Sequence, residues 1–261
     1  MNLKILGVLL PLALAACAQI PARTEGEPSE QNKASTLKLP GQQLTEPLLF
    51  DFLLGETALQ RGETEIATGI YLRLAKTTRD PRIAQRATEV ALLSRQPVPA
   101  LEAAMLWAEL DPDAVSARQT AAALLVNADR LEEARPHLEK LLASEGNNIN
   151  EAFMQLNSLL ARSANKTAIL ELVQYLSKPY PDLPEAHFAV SQAAWFASQS
   201  DIALAEMKQA LALRPDWETA AIYLGRIMQR TSNARAIEFY EDYLETYPKA
   251  NDTRIAYARL L

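Results

Sequence analysis

Few residues in this chain could do chemistry, and their spacing keeps them apart. Cys17, His137 and His187 are the only thiol and imidazole groups in 261 residues. A lone thiol forms no intramolecular disulfide, and with no histidine near it Cys17 is a poor start for a metal site. The two histidines stand 50 residues apart; His137 reads as a surface or packing residue, and His187, in the first turn of a helix, as a structural residue with contact to a partner as the alternative. No H-E-x-x-H occurs, so the helical zinc-protease arrangement is absent. No G-x-S-x-G offers a nucleophile elbow. Gly55 and Gly62 enclose six residues but lack the lysine and spacing of a phosphate loop. The acid pairs Glu132-Glu133 and Glu241-Asp242 read as solvated helix faces. The sequence therefore predicts a chain that is not an enzyme, with no metal site and no cofactor.

Cys17 has a different use, set by the residues before it. Met1 to Lys4 form a short segment with one positive charge, and Ile5 to Ala16 is an apolar run of 12 residues. That run is too short for a hydrocarbon core of about 30 Å, which needs roughly 20 residues. It has the length of a signal-peptide core. Leu14-Ala15-Ala16-Cys17 resembles the lipobox of bacterial lipoproteins. The resemblance implies a signal peptide over 1–16, cleavage before Cys17, and acyl chains on that cysteine. Each buried methylene contributes about 0.8 kcal/mol, and two or more chains anchor stably where one does not. Ala18 rather than Asp follows the cysteine. By Gram-negative sorting rules this implies the periplasmic face of the outer membrane.

Without residues 1–16 the chain keeps 25 basic and 32 acidic residues, a formal charge of −7. No dense basic cluster stands out, which argues against nucleic acid. It also argues against electrostatic adhesion to an anionic membrane surface. From Ala18 to Leu44 the sequence carries three Pro, two Gly and no aromatic residue. Such a segment cannot bury enough apolar surface to offset its ordering entropy. Residues 17–44 are thus read as the lipidated cysteine and a flexible tether, which spans roughly 30 Å in the root mean square.

The elements begin at Thr45. Ala67, Ala100, Ala134, Ala168, Ala203 and Ala236 lie 33, 34, 34, 35 and 33 residues apart. Each opens a segment with apolar residues four and seven or eight places on, which is one face of a helix. Pro81, Pro112, Pro181, Pro215 and Pro248 close most units, since proline cannot continue a helix. A period near 34 with two helices per unit is the signature of tetratricopeptide (TPR) repeats.

The segments 129–142, 203–217 and 222–248 resemble TPR repeats, with Leu224-Gly225 as the helix-A pair, and Leu54-Gly55, Gly62, Ala67 and Tyr71 match a further unit. The resemblance covers residues 45–261. It implies an all-α, right-handed solenoid of six helix-turn-helix repeats and a final helix. NDTRIAYARLL (251–261) reads as that helix: either a lone cap or part of a longer array. At the helix-A glycine position the third and fifth units carry the small Ala122 and Ser191. The second and fourth carry Thr88 and Leu156, so both hairpins are expected to be looser or more splayed. Pro136, early in a B helix, predicts a late start or a kink.

The TPR resemblance further implies a concave groove lined by helix-A positions. Position 5 gives Phe52, Gln85, Gln119, Phe153, Phe188 and Ile222; position 9 gives Glu56, Glu89, Ala123, Asn157, Gln192 and Arg226. Trp195, Gln229 and Arg230 continue the wall. Aromatic contact area with amides and arginine suits a peptide. The implied partner-binding residues are Phe52, Gln85, Gln119, Phe153, Asn157, Phe188, Gln192, Trp195, Arg226 and Arg230. No position 5 is Lys, which disfavours the carboxylate-terminated chaperone peptides that some TPRs clamp. Residues 48–93 resemble the first repeats of large outer-membrane TPR lipoproteins. Some of these are adaptors that deliver cell-wall hydrolases to periplasmic C-terminal processing proteases. The alternative resemblance is to a pilotin-like TPR lipoprotein that assists assembly of a type IV pilus secretin.

Overall fold

The computed structural model describes residues 39–160 and 163–261. The expected signal peptide, Cys17 and most of the tether lie outside them. Among the described residues there are thirteen α-helices and no strand. They run α1 (Glu46–Gln60), α2 (Thr64–Thr78), α3 (Pro81–Leu93), α4 (Pro97–Leu110), α5 (Val115–Asn127), α6 (Leu131–Ser144) and α7 (Ile149–Leu160). After these come α8 (Lys166–Ser177), α9 (Pro184–Phe196), α10 (Ser200–Leu213), α11 (Glu218–Gln229), α12 (Asn233–Thr246) and α13 (Asn251–Ala258). Consecutive helices pack as A–B hairpins in five of the six units, the fourth excepted, and α13 packs on α11 and α12. The fold is an all-α helical-repeat solenoid.

The repeat alanines make the close packing. Ala67, Ala100, Ala134, Ala203 and Ala236 have no exposed surface. Ala168 in α8 is the exception and is only half-buried.

Four A–B turns share one device. Gly62, Arg95, Asp129 and Ser198 all have positive φ, at the same place in their units. In each, the next residue's N–H reaches back past the turn: Glu63 to Ala58, Gln96 to Ala91, Arg130 to Leu125 and Gln199 to Ala194, at 2.8–3.0 Å. This left-handed helix stop satisfies the last carbonyls of the A helix. Gly62 adopts it freely, whereas the three side-chain-bearing residues are held there by the surrounding turn.

The hairpin tightness follows the size of two facing positions rather than of one. The helix-A glycine position and the B-helix position four residues after the repeat alanine pair as Gly55/Tyr71, Thr88/Ala104, Ala122/Leu138, Leu156/Leu172, Ser191/Met207 and Gly225/Tyr240. A Cβ on Gly55 would lie 3.1 Å from the Tyr71 ring, and one on Gly225 would overlap the Tyr240 ring. Thr88 is buried, its hydroxyl donates to the Ala84 carbonyl at 2.8 Å, and Ala104 is small. So α3 and α4 pack closely, which corrects the expectation of a loose second hairpin. In the fourth unit both residues are leucine. There α7 packs on α9, α8 packs on α6 and α9, and the two helices of the hairpin pack little on one another. The expected splay is present in the fourth unit alone.

Pro136 does not delay its helix. α6 starts at Leu131 and continues through Pro136, whose ring is on the exposed side. One backbone bond of the helix is therefore missing at that point.

Candidate functional site

The A helices, which the repeat resemblance assigns to the inner face, differ in charge along the chain. In the first two units the cation is already matched. Arg86 on α3 lies 3.5 Å from Glu56 and 3.5 Å from Glu89. Gln85 donates to Glu89 at 3.0 Å, and the Tyr71 hydroxyl bonds Glu56. Burial, then the Glu56 carboxylate, pushes the Tyr71 hydroxyl up to about 12. Phe52 is exposed and meets Tyr71 edge-on at 6.3 Å. Gln119 is exposed on α5, at the edge of a cleft with Ala123, Leu138 and Leu156.

The later units present another surface. Asn157 on α7 donates to Gln192 on α9 at 2.8 Å. The two residues share a cleft of ≈ 300 Å³ with Met154, Phe196 and Tyr223. The Arg230 guanidinium lies 4.7 Å from the Trp195 ring centre, and that of Arg226 lies 5.7 Å from Tyr223. Position 9 of three successive A helices is thus Asn157, Gln192 and Arg226, and Trp195 with Arg230 forms a second row. Two contacts join these residues across successive A helices, Asn157 with Gln192 and Trp195 with Arg230.

Two expected groove residues are elsewhere. Phe153 is fully buried and Phe188 is 1% exposed. Phe153 packs edge-on against Tyr180 at 5.3 Å. Phe188 packs on Trp217 at 4.8 Å and edge-on to Tyr223 at 5.2 Å. Both belong to the core, packed against aromatic rings of the neighbouring loops and repeat. The inner face near Phe188 is instead made by Tyr223 and by Phe196, which is 59% exposed. Sequence reasoning missed these two; Phe196 directly follows Trp195 at the end of the same helix.

His187 faces away from this wall. Its Nδ1 lies 2.6 Å from Glu206 and its Nε2 lies 2.8 Å from the Pro181 carbonyl. It lines a cleft of ≈ 680 Å³ bounded by α6, α8, α9 and α10, where the splayed α8 leaves room. In that cleft Arg135 sits 3.2 Å from Glu132, and both Arg135 and Lys178 lie near the Tyr175 ring. His137 is half-buried on α6, and burial followed by Lys140 and Arg118 lowers its pKa. No group of three or more metal-ligating side chains occurs among the described residues.

Thirteen helices in paired 33–35-residue units and an inner face of arginine, amide and aromatic side chains define a helical-repeat solenoid. No family model matches the chain. The chain is 28% identical over 264 residues to a TPR repeat-containing protein of Pseudomonas aeruginosa. The match takes in 99% of this chain and 44% of that protein, so the chain spans less than half its relative's length. Among solved structures the chain is similar to PilW, a type IV pilus biogenesis factor, at 13% identity and a TM-score of 0.41, over 81% of this chain and 99% of that one. It is also similar to YrrB, described as a TPR protein with an unusual peptide-binding site, at 18% identity and a TM-score of 0.41, over 71% and 96%. A TPR protein of Thermus thermophilus matches at 20% identity and a TM-score of 0.33, over 82% and 98%. At these TM-scores the pairings carry no argument; the class rests on the helices and their spacing.

Proposed function

We propose that this chain is a non-catalytic scaffold that holds segments of partner proteins along the inner face of α7, α9 and α11. The observation that carries this reading is the row of Asn157, Gln192 and Arg226 beside Trp195 and Arg230. These groups offer hydrogen bonds, a cation and aromatic area to a peptide, the residue types that dominate binding energy at interfaces. The segment Leu14–Cys17 supports anchoring through acyl chains on Cys17, and Ala18 supports the periplasmic face of the outer membrane. Within that setting the chain acts as an adaptor for a C-terminal processing protease and its cell-wall hydrolase substrates. Residues 48–93 support this partner by their resemblance to the first repeats of such adaptors.

The test is capture. The full-length chain, cross-linked in envelopes and purified in detergent, is analysed by mass spectrometry. Recovery of a periplasmic protease or a cell-wall hydrolase is the expected result. Secretin subunits in their place would transfer the chain to pilus assembly, and turnover of a small molecule by the pure chain would overturn the scaffold reading.

A further inference from the structure

Charge is distributed unequally along the inner face. Arg86, in the second unit, is held between Glu56 and Glu89. Arg226 and Arg230, in the sixth, have no ion pair and no hydrogen bond to any described residue. Each has only a ring beneath it, Tyr223 and Trp195 respectively. A guanidinium that stacks its face on a ring keeps its N–H edge free, and that edge matches a carboxylate in a two-bond fork. Arg226 lies in the last turn of α11 and Arg230 directly follows the helix with helical backbone angles, about 6 Å further along its axis. Lys166 adds a third positive charge near Phe196, at 5.9 Å from the ring, while donating to the Ser163 carbonyl. Beside these cations stand two exposed apolar side chains, Phe196 at 59% and Met154 at 38%.

From this complementarity we infer that the α9–α11 stretch takes an acidic protein segment, with carboxylates on Arg226 and Arg230 and an apolar side chain against Phe196 and Met154. The inference deepens the scaffold reading and rests on it. It also separates the two ends of the inner face. The matched charges around Arg86 offer an acidic segment nothing it could gain without breaking Glu56 and Glu89 away. The open pair at Arg226 and Arg230 gains both charge neutralisation and forked hydrogen bonds.

A random short-peptide library displayed on phage and panned against the full-length chain tests it. The expected peptides are enriched in Asp and Glu over the unselected library and carry an apolar residue beside them. Their affinity, read by fluorescence anisotropy, falls at least about tenfold when Arg226→Gln and Arg230→Gln are combined, as for loss of interface anchors. It also falls with added salt. Arg226→Lys with Arg230→Lys keeps the charge but not the fork and gives an intermediate loss. An unchanged melting curve for each variant shows that the fold is intact. Peptides without acidic enrichment, or peptides that bind the Gln variant equally well, would overturn this inference and leave the scaffold standing. If panning recovers no peptide at all, both readings fail.

Discussion

At the scale of single residues, burial separates side chains that the repeat position alone groups together. Phe188 and Arg226 both sit at positions that a TPR groove uses. Phe188 is 1% exposed between Trp217 and Tyr223, whereas Arg226 is exposed. Their substitutions should therefore act on different quantities. Phe188→Ala removes a filled core volume and should destabilise the chain by about 3–5 kcal/mol. Arg226→Ala should change stability by no more than about 0.5 kcal/mol. Denaturant titrations of the two variants side by side check this. An unchanged midpoint for Phe188→Ala would return that ring to the groove. The same logic covers Gly225, where a side chain would meet the Tyr240 ring. The Tyr240 hydroxyl donates to the Ile222 carbonyl at 3.0 Å, so that ring is fixed from both sides.

At the scale of elements, each helix is set by its sequence, but how closely two helices approach depends on a pair of residues. Thr88 tolerates a tight hairpin because Ala104 gives way to it. Leu156 does not, because Leu172 is equally large, and α8 turns instead to α6 and α9. In the fourth unit Ser163 donates to Asp129 of the third unit at 3.0 Å. Within α6, Pro136 removes one backbone bond from a helix that continues through it. Its exposed position means no packing is lost on replacement. Pro136→Ala should therefore raise stability by about 1–3 kcal/mol, the helix-interior penalty less the entropy the unfolded chain regains. Thermal and urea unfolding read the change. A loss of stability would show that the proline sets a course of α6 on which α8 depends.

At the scale of the whole molecule, the solenoid and the proposed anchor divide the work. α1 begins at Glu46, and residues 39–45 have no regular structure. Gln42, Gln43 and Leu44 line a shallow cleft with Phe52 and Ile83. The proposed anchoring depends on Cys17, 29 residues before the start of α1 in sequence. Cys17→Ala should abolish acylation, so that the protein stays unprocessed or leaves the outer-membrane fraction, while unfolding of the solenoid is unchanged. Fractionation after a carbonate wash, with metabolic labelling by a fatty acid, checks this. Persistence of the variant in the outer membrane would show that something other than acyl chains holds it there.

The sequence by itself determined what depends on neighbours along the chain. The 33–35-residue spacing of small alanines, the apolar face after each and the closing prolines place six hairpins and a final helix. Helical periodicity and the backbone limits of proline act locally, so they are legible without coordinates. The meeting of Asn157 with Gln192 was legible for the same reason, since the two hold one repeat position in successive units. Only the tertiary structure decided which of those positions reach solvent. Phe153 and Phe188 are core because of aromatic rings in the neighbouring loops and repeats, Tyr180, Trp217 and Tyr223, far from them in sequence. Likewise the second hairpin is tight and the fourth is open because packing depends on the summed size of two facing side chains, and a single position does not fix that sum. The charge contrast along the inner face has the same origin: Arg86 is neutralised across a repeat boundary, and Arg226 and Arg230 meet only rings.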